Sequence, residues 1–199
     1  MLILASASPR RQELLRSANI EFSVRPANIT EVRRPDEAPD GYVRRLAREK
    51  AQAIAGKIIF GDVVLGADTE VVLDLRRGTP LGKPRDAEDA ARMLRLLSGR
   101  SHYVLTGVCL LWKDTSNQMQ TAEASETTVV HFQQIGEREI LDYIATTEPL
   151  DKAGAYAIQG IPSRWIPRIE GCYFNVVGLP VPLVYRMLRE HAPQALTRR

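Results

Sequence analysis

The segment Gly66-Ala67-Asp68-Thr69-Glu70 interrupts an apolar run, Val63 to Leu65 and Val71 to Leu73, with two acids two residues apart. On a strand, residues two apart share a face, so Asp68 and Glu70 project together. Same-face carboxylates inside an apolar run are costly unless they bind a cation, meet positive side chains or border water. A hard divalent cation prefers such oxygens, and Asp68 can take a proton from a water. The plainer alternative is a strand that surfaces here and leaves both acids solvated.

Three further constellations bear on anion chemistry. Ser6-Ala7-Ser8-Pro9-Arg10-Arg11 lies between a short apolar strand and a helix, with Ser8 suited to the N-cap and Pro9 to the first helical position. The free N–H groups of a helix start, two hydroxyls and two guanidiniums suit phosphate oxygens. A capped helix with solvated arginines explains the same residues. Lys50 interrupts the apolar stripe Leu46, Ala47, Ala51, Ile54 of its own helix. It either snorkels to the surface or points at an anion across a cleft. Lys83, in Leu81-Gly82-Lys83-Pro84, follows a hairpin-like return and can bring a second ammonium to the same strand end. Pro149 to Gly160, with Tyr156 and Gln159 among small residues, suits either packing on a planar ring or a tight structural loop.

The elements that must position these groups follow from periodicity and punctuation. Strands are expected at Leu2 to Ala5, Val63 to Leu73, His102 to Trp112, Met119 to Phe132 and near Arg168 to Cys172. Helices are expected from Pro9, over Asp40 to Ala55, over Asp86 to Ser98 with Asp86 as cap and Gly99 as stop, over Gly136 to Thr146, and from Pro180. This order predicts an α/β fold: a mixed twisted sheet flanked by helices, with two lobes facing across a cleft. Arg33 to Pro39 is a polar, proline-bounded loop. Residues 1–199 form one domain, with a disordered tail from about 193 and a frayed Thr197-Arg198-Arg199.

Composition narrows the function. The 199 residues are 44% hydrophobic, enough for a core without staples, and the net charge of +3 is too small to argue for wholesale nucleic-acid binding. Aromatic content of 6% and scattered basic residues argue the same way, although the pI of about 9.0 permits anionic ligands. Two distant cysteines, Cys109 and Cys172, exclude a disulfide framework and favour a reducing compartment. No apolar run approaches a bilayer span and the start lacks a basic leader, so a cytoplasmic protein with no membrane partner is expected. Gly78 to Pro84 echoes a P-loop, but its glycines are too close and Pro84 stands where a metal-binding hydroxyl belongs. His102, His131 and His191 are scattered, with no zinc spacing.

Seven segments in order resemble the Maf family of nucleoside triphosphate pyrophosphatases, the septum-formation inhibitor Maf-like proteins. They are Ala5 to Arg11, Ala47 to Ala51, Gly66 to Thr69, Leu81 to Pro84, Leu97 to Gly99, Asp151 to Gly160 and Asn175 to Pro180. The resemblance implies an elongated Maf/ITPase-like fold, a homodimer, and hydrolysis of a nucleoside triphosphate to monophosphate and diphosphate with Mg²⁺ or Mn²⁺. It implies Asp68 as proton acceptor, Ser8, Arg11, Lys50 and Lys83 as phosphate-site residues, and Glu31 with Asp68 at the metal. Arg10, Thr69 and Gln159 match the branch acting on dTTP and UTP rather than the one acting on 7-methyl-GTP. Glu70, where many members are apolar, is a departure that can join the metal site. A second departure is the basic connection Asp74 to Thr79. A non-catalytic nucleotide-binding regulator of division would be expected to lack Asp68 or a site lysine, and this chain has them all.

Overall fold

A computed structural model describes residues 1–56, 58–76, 78 and 80–196. In chain order the elements are β1 (Leu2–Leu4), α1 (Pro9–Ser17), β2 (Phe22–Val24), α2 (Pro39–Ala55), β3 (Val63–Val72), α3 (Ala87–Leu97), β4 (Ser101–Lys113), β5 (Met119–His131), α4 (Glu137–Ile144), β6 (Arg168–Glu170), α5 (Tyr173–Val177) and α6 (Val181–His191). Short 3₁₀ turns fill Glu148–Asp151, Ala153–Ala155, Ile161–Trp165 and Pro193–Ala195.

One six-stranded mixed sheet, in the order β2-β1-β3-β4-β5-β6, runs through the molecule. β1 is parallel to β2 and β3, and the pairs from β3 to β6 are antiparallel. The expected mixed sheet flanked by helices is therefore present. β1 pairs with β3 only at Val63 to Leu65. Beyond Leu65, the β3 edge is met by Arg11 of α1 at the Ala67 carbonyl and by the Leu81 N–H at the Val71 carbonyl instead of by a neighbouring strand.

Alternation along β3 and β4 sends side chains to two different layers. On one face Val63, Leu65, Ala67, Val108 and Leu110 pack on α1 and α6 through Leu14, Leu15, Leu183, Val184 and Leu188. Further along that face Val71, Val104 and Val130 pack on α3 and α4, around Leu94, Leu97, Ile140, Tyr143 and Trp165. Between these two cores lies a buried polar seam of Arg11, Thr106, Thr128 and Asn175. The opposite face is covered by α2, whose Ala47, Ala51 and Ala55 meet Ile3, Val64, Cys109 and Leu111.

Glycines set how closely α2 approaches. A Cβ at Gly66 would lie 2.0 Å from the Ala47 carbonyl oxygen, and one at Gly107 would lie 2.2 Å from that of Val43. Helix backbone thus rests directly on sheet backbone, as interior strand glycines permit.

Three expectations are corrected. Two elements, β2 and α5, carry no amphipathic pattern long enough to predict, because three to five residues do not complete one. Ser8 occupies the N-cap position of α1, but its side chain makes no capping hydrogen bond. Its N–H instead donates to Ser6 Oγ at 3.2 Å. Residues 193–196 are not a disordered tail: Pro193–Ala195 forms a turn, and Ala195 and Leu196 pack against the first core. Thr197 to Arg199, and Arg77 and Thr79 of the basic connection, lie outside the described residues.

Candidate active site

Asp68 and Glu70 share the α2 face of β3, as their spacing requires. Asp68 is buried, and Lys50 Nζ donates to its Oδ1 at 2.6 Å. Lys50 also meets Glu31 Oε1 at 2.7 Å, with its side chain only 12% exposed. The lysine that breaks the stripe of α2 therefore turns inward, to an acid pair rather than to solvent. It reaches Asp68 because Gly66 and Gly107 let α2 lie against the strands beneath it.

Two oxygens of this cluster are left over. Asp68 Oδ2 and Glu70 Oε2 are buried without a hydrogen-bond partner among the described residues. Burial, followed by the charges of Asp68 and Glu31, pushes the Glu70 carboxyl up to about 8, against smaller opposing effects of the Gly82 N–H and Lys50. Tyr42 of α2 lies against the same cluster; burial, with Glu70 and Asp68 beside it, raises its hydroxyl to about 12.

The loop carrying Glu31 is strapped to α2 by Arg45, which the sequence reading did not single out. Its guanidinium donates to Glu37 at 2.6 and 2.7 Å, to both oxygens of Glu49 at 3.1 Å and to the Val32 carbonyl at 3.0 Å. Hydrogen bonding to Arg45 holds the Glu37 carboxyl at about 2. Arg33 adds hydrogen bonds to the Glu37 and Gly78 carbonyls, each 2.9 Å. The i,i+4 pair Arg45–Glu49 is visible in the sequence; the reach to Glu37 depends on how the loop folds back.

Arg11 and Thr69 lie on the other face of the sheet. Arg11 is buried, and its Nε donates to the Gly178 carbonyl at 2.9 Å. Its Nη1 serves Ser6 Oγ at 3.1 Å and the Ala67 carbonyl at 2.9 Å, and Nη2 serves Thr69 Oγ1 at 3.1 Å. Most of its donors are thus spent on the protein, while its charge lies beneath the start of α1.

The remaining sequence-predicted residues form a rim. Arg10 is half-buried and Ser8 partly so, whereas Lys83 and Gln159 are exposed. The Lys83 loop is clamped by Leu81 N–H on the Val71 carbonyl and by Gly154 N–H on the Gly82 carbonyl, both 2.8 Å. The Asp151 carboxyl is held down chiefly by Lys152, and Arg10 adds to this.

Among the described residues no three or more His, Cys, Asp or Glu are grouped as a protein-only metal cage. The donor set suits a Mg²⁺-type ion instead, which takes one or two carboxylates and completes its shell with water and substrate phosphates. Asp68 and Glu70, each with one oxygen that has no partner among the described residues, supply two. No helix among the described residues is long and apolar enough to cross a membrane.

A dTTP/UTP pyrophosphatase of Koribacter versatilis is 55% identical over 94% of this chain and 93% of its own. Proteins of the same name from an Anaeromyxobacter species and from Syntrophomonas wolfei are 50% and 48% identical, over 94% and 97% of this chain and 88% and 98% of theirs. Among solved structures, the Staphylococcus aureus Ham1 protein aligns over 66% of this chain and 71% of its own, at 14% identity and a TM-score of 0.46. The model of the Maf-like proteins matches residues 1–191, and the chain belongs to that family.

Proposed function

We propose that this protein hydrolyses dTTP and UTP to the monophosphate and diphosphate. The observation that carries the mechanism is the buried Asp68 carboxylate, with one oxygen held by Lys50 and the other without a partner among the described residues. Its relatives of about half-identical sequence, named for this activity, support the substrate class.

A water oxygen attacks the α-phosphorus, the bond to the α–β bridging oxygen breaks, and diphosphate departs with the electron pair. Asp68 Oδ2 takes the water's proton, while Lys50 fixes the carboxylate by its Oδ1. Ser8, Arg10 and Lys83 meet the phosphate oxygens, and Arg11 contributes its charge from below. Glu31 and Asp68, with Glu70 on the same strand face, would hold a divalent cation, which would neutralise phosphate charge. Arg10, Thr69 and Gln159 set the preference for a thymine or uracil base. The same family likeness carries a cytoplasmic homodimer, which light scattering of the purified protein tests.

The test is diphosphate release from dTTP, UTP, CTP, GTP, ATP and 7-methyl-GTP with Mg²⁺ or Mn²⁺. Release confined to dTTP and UTP is expected. Release from 7-methyl-GTP alone would keep the chemistry and overturn the base reading, and release from none would overturn both.

A further inference from the structure

The hydroxyl of Thr69 offers three hydrogen-bond positions, one donor and two acceptors. Arg11 Nη2 donates to it at 3.1 Å, it donates to the Gly178 carbonyl at 3.2 Å, and Thr106 Oγ1 lies 2.9 Å away across the β3–β4 ladder. Thr106 is 0% exposed, and Thr69 is the only hydrogen-bond partner of its hydroxyl among the described residues. A buried hydroxyl proton is donated rather than left unpaired, so Thr106 is the donor and Thr69 the acceptor. Every position of Thr69 is then filled by the protein, and none is left to read the edge of a base.

We infer that Thr106 is a positioning residue for base selection, acting through Thr69 on Arg11 and on the turn at Gly178. The inference rests on the proposed role of the Thr69 position in choosing the base. Gly178 carries φ +129°, and its carbonyl is held jointly by Thr69 and by Arg11 Nε. Arg11 in turn fixes Ser6 and the Ala67 carbonyl, one residue before Asp68. The proton of Thr106 leaves Thr69 one direction in which to donate, and this sets the spacing between the start of α1 and the α5 turn. Without it, Thr69 keeps an unfilled acceptor and the turn loses its fixed register. A base contact misplaced by about 1 Å is enough to change discrimination.

The experiment measures kcat and KM for dTTP, UTP and CTP with Thr106→Val, Thr106→Ala and Thr106→Ser, alongside thermal unfolding of each. Val and Ala are expected to change the dTTP-to-CTP ratio of kcat/KM by about tenfold, mainly through KM, and Ser to restore it to about wild type. A loss equal for all three nucleotides, or an unchanged ratio, would overturn the inference and leave Thr106 as packing. If Val does not fold, the Ala and Ser pair decides the matter by the same ratio. A wild-type protein with no preference for dTTP and UTP would overturn the underlying base reading, and that is seen before any variant is made.

Discussion

At the scale of single residues, the site is an arrangement of carboxylates around one ammonium. Lys50 lies within 2.7 Å of both Asp68 and Glu31, so it balances part of a charge that burial would otherwise make costly. Asp68→Asn keeps the shape of the side chain and removes the proposed proton acceptor. It is expected to lower kcat by about 10²–10⁴ with circular dichroism and KM little changed, and near wild-type turnover would remove Asp68 from the role. Glu70 gives a separate readout. Its carboxyl is neutral up to about pH 8 in the folded chain but ionises at about 4.5 in an unfolded one. Because the folded value is the higher, its contribution is complete below the unfolded value and is lost as pH climbs through 8. In EDTA, the melting temperature of the wild type is therefore expected to fall relative to Glu70→Gln between pH 5 and pH 9. A differential of a few kcal/mol corresponds to about 5 °C or more in a chain of this length. Parallel curves for the two proteins would show that Glu70 titrates normally.

At the scale of elements, the contact between α2 and the sheet decides whether those residues meet. Gly66→Ala and Gly107→Ala each place a methyl within about 2 Å of a helix carbonyl, by the distances given above. The helix must lift, at a cost of about 1–3 kcal/mol or more, and Lys50 withdraws from Asp68. Both variants are expected to lose more than about tenfold in kcat, whereas Gly56→Ala, with open space around the new methyl, is expected to match the wild type in urea titration and turnover. Equal behaviour of all three would mean that the close approach is dispensable. The sequence shows half of this arrangement. The stripe of α2, the break at Lys50 and the two-residue spacing of Asp68 and Glu70 are periodic signals, and periodicity survives in a linear string. That Asp68 and Thr69 serve opposite faces also follows from the strand alone. What a string does not carry is the partner chosen across long separations: Arg45 for Glu37, Thr106 for Thr69, Asn175 for Thr128. Each depends on register or on a loop's path, and these are set only when the whole sheet assembles. Arg11 is the clearest case. Its position in the first turn after Ser8 suggests a surface cation, yet the carbonyls of Ala67, inside β3, and of Gly178, after α5, draw it inside.

At the scale of the whole molecule, the sheet joins two apolar cores through a polar seam, and the candidate site draws residues from both sides of it. The second core contains its own titrating group. His102 is 0% exposed, with Nε2 2.7 Å from the Tyr156 hydroxyl, Nδ1 unpartnered among the described residues and the ring edge-on to Phe132. Burial, with a smaller effect of His131, lowers it to about 3. The folded value lies below the ordinary 6.5, so its contribution is present above pH 6.5 and is lost progressively as pH falls toward 3. Glu70 acts with the opposite sign between about 4.5 and 8, and the two slopes cancel between about pH 4.5 and 6.5. For these two groups, the stability of the metal-free wild type is expected to be level across that window. Glu37, held at about 2, does not release its own contribution until the pH drops below 4.5. Single substitutions should tilt the plateau in opposite directions. Urea midpoints of His102→Gln are expected to keep rising down to pH 4.5, and those of Glu70→Gln to start falling at pH 6.5, each by on the order of 2–3 kcal/mol over two pH units. Tyr156 connects His102 to the segment that ends in Gln159. Acid should therefore loosen that segment first, seen as faster amide exchange at residues 153–158 than in α1 at pH 4.5, and removed by His102→Gln. Exchange that quickens uniformly through both cores would mean that the seam does not divide the molecule into separate cooperative units.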